Sequence, residues 1–322
     1  MPPSSDRPAT MPDKRITSVV WDTVFYVESG LTDTLLERPT ALTADGEGVT
    51  VLDFGASRVL RFGRSGVVSW RWGRRGSGPN ELRAPRDLHL GPGQTHWIYD
   101  PENLRIIVLD ANGRVLRRIT LRSGEFGMTA LPAAGRIVIL SLTPSAPFVW
   151  LDTTGKLVKR AEAPAPYVGR LDPLHLQMRG TTDPATGRWA AALSLHDGFF
   201  IFDASGALVS RGWYVDEPEP PRIETRARTT GPGRTSTVRR VSPGSAAGAI
   251  ALSPERLYVV YTGDDRARRI DAYAIDSGVY VETVELPYSV TDIAYHDGCL
   301  FTVTSRPTPR VIGLCPRGSR LP

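Results

Sequence analysis

Lysine, cysteine and long apolar runs are scarce in this sequence. Among 39 lysines and arginines only Lys14, Lys156 and Lys159 are lysine, and the 322 residues include 2 cysteines. No run approaches the roughly 18 consecutive apolar residues that a membrane-spanning helix needs. Residues 1–15 are rich in proline, serine and charge and lack the apolar core of a signal peptide. As written, the sequence predicts no transmembrane segment and no export signal.

Motifs of several common enzyme classes are also missing. There is no Gly-x-Ser-x-Gly elbow, no Walker loop, no Cys-x-x-Cys pair and no His-Glu-x-x-His motif. The net charge of +5 comes almost wholly from arginine, which favours GC-rich coding over a surface built for nucleic acid, because phosphate-binding surfaces generally use lysine as well. A nucleic-acid partner is therefore not expected, whereas the charge permits an acidic protein partner.

A short hairpin signature recurs along the chain. Apolar residues make up 41% of the sequence, and 31 glycines and 27 prolines favour many turns between short strands. In each copy of the signature an apolar strand ends, a cluster of Asp, Ser, Asn and Gly turns the chain, and a second apolar strand follows. The copies lie at 62–68, 109–115, 151–157, 202–208 and, in a shorter form, 275–279. Intervals of about 40 to 50 residues, with one longer interval, are typical of β-propeller blades.

A second repeated element places an aspartate five residues before an arginine. It occurs as Asp53 with Arg58, Asp100 with Arg105 and Asp264 with Arg269, and Arg310 keeps the spacing with Ser305 in the aspartate position. A carboxylate at the end of one strand and an arginine at the start of the next can pair across the turn between them. Because the element recurs from blade to blade, we interpret it as a structural clasp and not as a catalytic pair.

At these residues the chain resembles the NHL-repeat family of six-bladed propellers. The segment 100–106 matches the pattern Asp-x-x-Asn-x-Arg-Ile, and the segment 73–85 matches the connector Gly-x-x-Gly-x-Gly-Pro-x-Glu-Leu-x-x-Pro, with Asn80 where the family often has glycine. The chain looks most like bacterial members of this group, which are often exported. The resemblance implies an all-β fold, a six-bladed β-propeller of four-stranded antiparallel blades.

Counting strands predicts one domain over 16–316, between a flexible N-terminal tail at 1–15 and a C-terminal tail at 317–322. The sixth blade is short of a strand, and the apolar stretch 16–27 can supply it and so close the ring. The predicted blades span 38–72, 85–121, 128–161, 175–214, 249–286 and 289–315.

The central channel is the place to look for a metal. The resemblance implies that enzymes on this fold, such as amidating lyases and lactonases, hold a metal with side chains of the innermost strands. The candidates here are Asp87, His89, His175 and Asp292. A site needs three or four convergent ligands, and the other innermost strands offer none. We therefore predict no metal and no other cofactor, and a metal-dependent lyase or lactonase is kept as an alternative.

The least regular part of the chain is an inserted loop at 215–248, rich in proline and arginine. A solvated flexible loop and a binding arm both remain open, since long loops in compact domains are usually either functional or disordered. Two further arginines lie in the connector between the first two blades. The candidate partner-binding residues are Arg74, Arg75, Arg222, Arg226, Arg228, Arg234, Arg239 and Arg240.

The two cysteines, Cys299 and Cys315, flank a hairpin whose midpoint is Pro307. In a symmetric register they face each other within reach of a disulfide, and chance placement of two buried thiols is the alternative. A disulfide would favour an extracytoplasmic, periplasmic location. Without a leader beyond the sequence as written, the location would be cytoplasmic.

The combined observations predict a non-catalytic propeller that serves as a protein–protein interaction platform. Loops from every blade meet on one face of such a ring, which suits docking to another protein. Our hypothesis is an accessory or structural subunit of a larger complex, for example a membrane-bound respiratory or photosynthetic assembly. An RNA-binding or anion-binding platform like some NHL domains is a second alternative, weakened by the few aromatics beside the arginines.

Overall fold

The computed structural model describes residues 7–30, 35–122, 127–133, 135–164, 176–219, 223–231, 234–241, 246–263 and 266–318. Within these ranges the chain forms 26 strands and three single-turn 3-10 helices, at Pro92–Gln94, Pro101–Asn103 and Arg266–Arg268. The strands build six four-stranded antiparallel sheets and one separate two-stranded sheet. The predicted fold, a six-bladed β-propeller, is confirmed.

The chain begins with strand β1 (Trp21–Glu28), which belongs to the last blade. Blade 1 contains β2 (Pro39–Asp45), β3 (Gly48–Asp53), β4 (Arg58–Gly63) and β5 (Val68–Trp72). Blade 2 contains β6 (Asp87–Gly91), β7 (Thr95–Asp100), β8 (Arg105–Leu109) and β9 (Val115–Thr120). Blade 3 contains β10 (Thr129–Ala133), β11 (Arg136–Leu140), β12 (Phe148–Asp152) and β13 (Leu157–Ala161).

The second half of the ring follows the same plan with one insertion. Blade 4 contains β14 (Met178–Thr182), β15 (Trp189–Leu193), β16 (Phe199–Phe202) and β17 (Leu208–Gly212). The inserted strands are β18 (Ile223–Gly231) and β19 (Arg234–Val241). Blade 5 contains β20 (Ala247–Leu252), β21 (Arg256–Tyr261), β22 (Arg269–Ala274) and β23 (Tyr280–Glu285), and blade 6 contains β24 (Asp292–His296), β25 (Cys299–Thr304), β26 (Arg310–Pro316) and β1.

The core lies between the blades. Six clusters of buried apolar side chains each join two adjacent blades of the described chain, so every blade is packed on both faces. Between blades 3 and 4, for example, Trp189 stacks on Phe202 with ring centroids 4.0 Å apart and meets Phe148 edge-on at 5.6 Å. Because each strand is buried on both sides, the central strands read as continuous apolar runs and not as alternating ones.

The glycine of the repeated hairpin has two functions in the ring. Gly113 and Gly206 both have positive φ, at 77° and 85°, which glycine adopts at no steric cost. Each also packs against a tryptophan of the preceding blade: a Cβ at Gly113 would lie 2.6 Å from Trp70, and one at Gly206 would lie 2.5 Å from Trp150. The hairpin signature therefore encodes a turn and a contact between neighbouring blades.

The aspartate–arginine element forms the predicted contact in the first two blades. Asp53 faces Arg58 across the β3–β4 ladder, with Oδ2 3.4 Å from the guanidinium, and Asp100 faces Arg105 at 3.6 Å. Both carboxylates are fully buried and accept backbone N–H groups of the preceding connector, Asp53 from Glu37 and Arg38. They therefore fasten a turn to the connector that enters their own blade.

The later blades use their arginines differently. Asp264 lies outside the described residues, and Arg269 pairs with Glu285 at 3.1 Å. Arg310, where the aspartate position is Ser305, pairs with Glu28 at 2.7 Å. Each acid lies on the outermost strand of the blade that contains its arginine. A five-residue spacing alone therefore does not determine which carboxylate pairs with an arginine.

The ring closes through β1, as predicted. β1 pairs antiparallel with β26, from Trp21 opposite Pro316 to Glu28 opposite Arg310, and buries Phe25 and Val27 against blade 1. Cys299 and Cys315 are joined by a disulfide across β25 and β26. The first and last parts of the chain thus form one sheet, and a covalent bond ties its middle strands together.

Two segments differ from their sequence-based description. Within the predicted loop 215–248 the structure has the hairpin β18–β19, since both segments contain several threonines or β-branched aliphatics, which favour extended backbone. In the predicted tail 1–15, residues from Arg7 onward contact blades 4 and 5, as described below, whereas 1–6 lie outside the described residues. Of the predicted tail 317–322, Arg317 pairs with Asp22 at 3.1 Å, and 319–322 also lie outside them.

Candidate functional site

Two cavities enter the ring from opposite faces and meet near its middle. The larger, of about 500 Å³, is lined by the turns that follow the innermost strands, and the smaller, of about 320 Å³, by the connectors that precede them. Both are lined by Asp87, Gly180, Ile250 and Asp292. These residues lie on the innermost strands of four blades and form the waist of the channel.

A polar cluster joins blades 2 and 3 at this waist. Asp87 Oδ2 lies 3.0 Å from His89 Nε2, and the same nitrogen lies 3.0 Å from Thr129 Oγ1. The Thr129 hydroxyl in turn donates to Asp87. Burial raises the pKa of Asp87, but the charge and hydrogen bond of His89, with smaller contributions from Thr129 and Arg179, outweigh it, so the pKa falls below its ordinary value.

Asp292 faces the same waist from blade 6 and behaves in the opposite way. Enclosure by the ring and, next, the negative charge of Asp87 raise the pKa of Asp292 to about 7. The Leu42 N–H donates to its Oδ2 at 2.9 Å, which lowers the pKa but does not cancel the effect of burial. Near neutral pH the waist thus combines an ionised carboxylate with one that is partly protonated.

Three of the four candidate metal ligands are near one another. Asp87, His89 and Asp292 all lie on innermost strands, whereas His175 falls outside the described residues. Over the described part of the chain, no group of three or more His, Cys, Asp and Glu side chains is arranged to hold a metal ion. The hydrogen bonds already made by Asp87 and Asp292 show how these carboxylates are satisfied by the protein itself.

The connector arginines are engaged within the protein. Arg74 pairs with Glu81 at 2.9 Å, and Arg75 donates to the Gly55 carbonyl at 3.2 Å. Glu81 also accepts the Gly78 N–H at 2.8 Å, and this bond, followed by Arg74, keeps the pKa of Glu81 low. Arg74 is nevertheless well exposed, so the connector is a structured junction with one neutralised arginine at its surface.

The inserted hairpin, here called the arm and defined as residues 223–241, lies between blades 4 and 5 in the sequence. Its strands pair with each other from Ile223 opposite Val241 to Gly231 opposite Arg234, and they belong to none of the six blades. Five of the six predicted arm arginines lie on these strands, and Arg222 lies outside the described residues. The five are Arg226, Arg228, Arg234, Arg239 and Arg240.

Residues 7–17, here called the strap, contact blades 4 and 5 and the segment that precedes the arm. Arg7 pairs with Asp197 and donates to the Tyr214 carbonyl, and Lys14 lies 2.6 Å from Asp216. Further along, an isolated parallel bridge joins the strap to the edge of blade 5, where the Thr17 N–H donates to the carbonyl of Thr283 at 2.8 Å. The strap therefore connects the segment after blade 4 to blade 5.

A buried hydrogen-bond chain continues from the strap into blade 5. The Tyr280 hydroxyl lies 2.7 Å from that of Thr283, which donates to Asp271 at 2.6 Å. Burial raises the pKa of Asp271, and Lys14, 3.9 Å away, lowers it by less. This cluster was not predicted, because contacts between residues about 260 positions apart leave no local pattern in the sequence. The local signal was the adjacent pair of cations Lys14 and Arg15.

Comparison with known proteins identifies the fold and not a family. No family model and no curated protein matches the chain. Virginiamycin B lyase from Staphylococcus aureus is similar in structure, with 12% identity over 92% of this chain and 99% of that one and a TM-score of 0.56. A putative exported protein from Bacteroides fragilis gives 11% identity, coverage of 94% and 98%, and a TM-score of 0.56. The Cps50 (Swd1) β-propeller domain of Myceliophteria thermophila gives 12%, 92% and 99%, and 0.52.

Fold, channel and comparisons together define a six-bladed β-propeller protein. The similar structures differ in function, since one is a lyase and another is described only as exported. Membership of the NHL-repeat family stays a prediction. What distinguishes this chain must therefore be sought in its own additions to the ring, above all the arm and the strap.

Proposed function

We propose that the protein is a non-catalytic interaction platform that docks on another protein through the arm. The observation that carries this proposal is that β18 and β19 form a two-stranded sheet outside the blades. An isolated two-stranded hairpin is at best marginally stable in water. A partner that pairs with the open edges of the arm would supply the stabilisation that an isolated hairpin lacks.

The charge of the arm indicates the partner. Residues 223–241 contain five arginines and one acid, Glu224. Arginine is enriched at protein interfaces, where its planar guanidinium pairs with carboxylates. We therefore propose an acidic protein surface as the docking site.

The larger setting is an assembly in which this chain is an accessory or structural subunit. No helix in the described part of the chain is long and apolar enough to cross a membrane. We propose a membrane-bound respiratory or photosynthetic complex that the propeller joins from outside the bilayer. The disulfide and the exported protein of similar fold support an extracytoplasmic, periplasmic location.

A metal-dependent lyase or lactonase is the second candidate, favoured by the cluster at the channel waist. Asp87, His89 and Asp292 offer a proton donor and acceptor inside a cavity of about 500 Å³. An enzyme of this class would lose its activity in the Asp87→Asn and Asp292→Asn variants and on chelation. An interaction platform would still bind its partner in these variants and after chelation. The two candidate functions therefore predict different results.

The experiment replaces arm arginines in the protein's native cells. In one variant the five arm arginines become glutamine, and in a matched control they become lysine, which retains the charge. Co-purification with a stoichiometric partner after mild extraction is measured for both. We expect loss of the partner for glutamine and retention for lysine. Equal retention by both variants would contradict an electrostatic arm, and purification of the wild type without any partner would contradict the platform itself.

A further inference from the structure

The outer rim of blades 2 and 3 exposes aliphatic side chains. Leu116 on β9 is 55% exposed, and Leu157 and Val158 on β13 are 37% and 46% exposed. β9 and β13 are the outermost strands of neighbouring blades, so these side chains share one sector of the rim. Single exposed aliphatics are ordinary, but here they coincide with an unusual charge pattern.

Cations are concentrated around these aliphatics. The segments 114–122 and 156–161 contain seven lysines and arginines and no acidic residue, and they include two of the three lysines of the chain. Arg114, Arg117, Lys156, Lys159 and Arg160 form no ion pair with any described carboxylate. Arg117 lies over the Trp97 ring and Lys159 over the Trp150 ring, which anchors both stems on the rim.

Nearby acids offset only part of the charge of this sector, since Asp110, Asp152 and Glu162 flank its seven cations and leave an excess of four positive charges. Asp110 and Asp152 accept backbone N–H groups of their own turns, Asp110 from Asn112 and Arg114, and Asp152 from Thr154 and Lys156. These bonds fix the two carboxylates within the hairpins. The sector of β9 and β13, here called the basic rim, is therefore a convex surface of cations and aliphatics.

The opposite side of the ring has the reverse arrangement. The outermost strands of blades 5 and 6, β23 and β1, contain four acids and no lysine or arginine. Every one of these acids pairs with an arginine of its own blade, in the pairs Glu282–Arg256, Glu285–Arg269, Glu28–Arg310 and Asp22–Arg317. That side is neutral in sum, so the basic rim is not a general property of the blades.

We propose that the basic rim docks edge-on on an anionic membrane surface. Each lysine or arginine near such a surface contributes about 1 kcal/mol, and aliphatic tips gain further by entering the boundary between headgroups and acyl chains. A bilayer supplies both kinds of contact over a broad area, as a convex rim requires. In this orientation the channel axis lies parallel to the membrane. The proposal does not depend on the function proposed for the arm.

The test is co-sedimentation of the whole protein with phosphatidylcholine vesicles, with and without phosphatidylglycerol, at low and high salt. Arg160→Glu and Val158→Ser change the basic rim, and the matched controls are Arg136→Glu, an exposed arginine elsewhere on blade 3, and Val279→Ser, on the opposite side of the ring. All four positions are exposed, and thermal melting checks that each variant folds. An otherwise identical set with the arm replaced by a short linker removes the contribution of the arm arginines.

We expect salt-sensitive binding to the anionic vesicles alone, in both sets. Arg160→Glu should weaken it roughly tenfold or more, since it reverses one charge at the surface, and Val158→Ser several-fold, with little effect of either control. No binding to anionic vesicles, equal loss in Arg136→Glu, or binding that disappears with the arm would overturn the proposal. If the rim variants bind vesicles as the wild type does but no longer co-purify with a protein partner, the rim contacts protein instead. That result would also overturn the proposal.

Discussion

Strand β1 and the arm both lie outside the regular blade repeat, but their strands pair with different partners. β1 finds the free edge of β26, buries Phe25 and Val27, and completes a four-stranded sheet. The arm has more residues in strands, yet its two strands pair with each other and with no blade. One addition removes an exposed sheet edge from the fold, and the other creates two.

This difference separates a segment that the fold requires, β1, from a segment that is available for binding, the arm. A strand that satisfies an edge of the ring is required for stability, because an unpaired blade edge leaves backbone groups and apolar surface uncovered. A hairpin that leaves edges open costs the ring nothing when it is removed.

Removal of residues 1–28 should abolish the fold. The truncated chain loses β1, leaves β26 unpaired and exposes the cluster shared by blades 6 and 1. We expect no cooperative thermal transition by circular dichroism. Removal of the arm is the matched control and should leave the midpoint within about 2 °C of the wild type. A truncated chain that melts like the wild type would show that β1 is dispensable.

The disulfide should contribute strongly to the same closing blade. It joins residues 16 positions apart, a loop for which the constraint on the unfolded chain is worth about 3 kcal/mol. Cys299→Ala with Cys315→Ala should therefore lower the free energy of unfolding by roughly that amount in denaturant titrations. Reduction should destabilise the wild type and leave the double variant unchanged. An effect of reduction on the variant would argue against this bond as the cause.

Gly206→Ala should weaken the joint between blades 3 and 4. The new Cβ would meet the Trp150 ring as well as a positive φ, whereas Gly135→Ala meets the positive φ alone, with open space around it. The free-energy loss should be larger at Gly206 than at Gly135 by about 1 to 3 kcal/mol. Equal losses would mean that the repeated glycine serves its turn and not the contact between blades.

Asp292→Asn should change the pH dependence of stability. Because the folded-state pKa of Asp292 is raised to about 7, the folded protein binds the proton more tightly than the unfolded chain, and stability falls as pH rises from about 4 to 7. The asparagine variant lacks this ionisation and should be the more stable protein at pH 8, by up to about 4 kcal/mol. The difference should shrink as the pH falls and disappear below about pH 4, where the carboxyl is protonated in both states. An equal difference at both pH values would contradict the raised pKa.

The sequence predicted the fold because each repeat is encoded locally. A turn glycine, flanking apolar strands and a blade period are visible within a few residues of one another, as in 109–115 and 202–208. The closure by β1 was predictable by counting strands. In the arm, by contrast, the composition rich in proline, glycine and arginine favoured a loop, so the two-stranded hairpin was not predicted.

The candidate site was only partly predictable, because it depends on contacts between distant parts of the chain. Asp87 and Asp292 were recognised as channel residues, but their opposite pKa shifts come from neighbours on other blades, His89 with Thr129 in one case and Asp87 itself in the other. The strap was predicted to be a tail. No sequence pattern near Arg7 or Lys14 indicates that their acidic partners are Asp197 in blade 4 and Asp216 after it.

The most direct test of the central claim is crosslinking mass spectrometry on the intact assembly after mild extraction from native membranes. Lysines are few, so a reagent that joins carboxylates should accompany an amine-reactive one, with Glu224 and Lys14 reporting on the arm and the strap. We expect reproducible crosslinks from the arm to an acidic segment of one stoichiometric partner. A monomer that yields only internal crosslinks would contradict the interaction platform and direct attention to the channel.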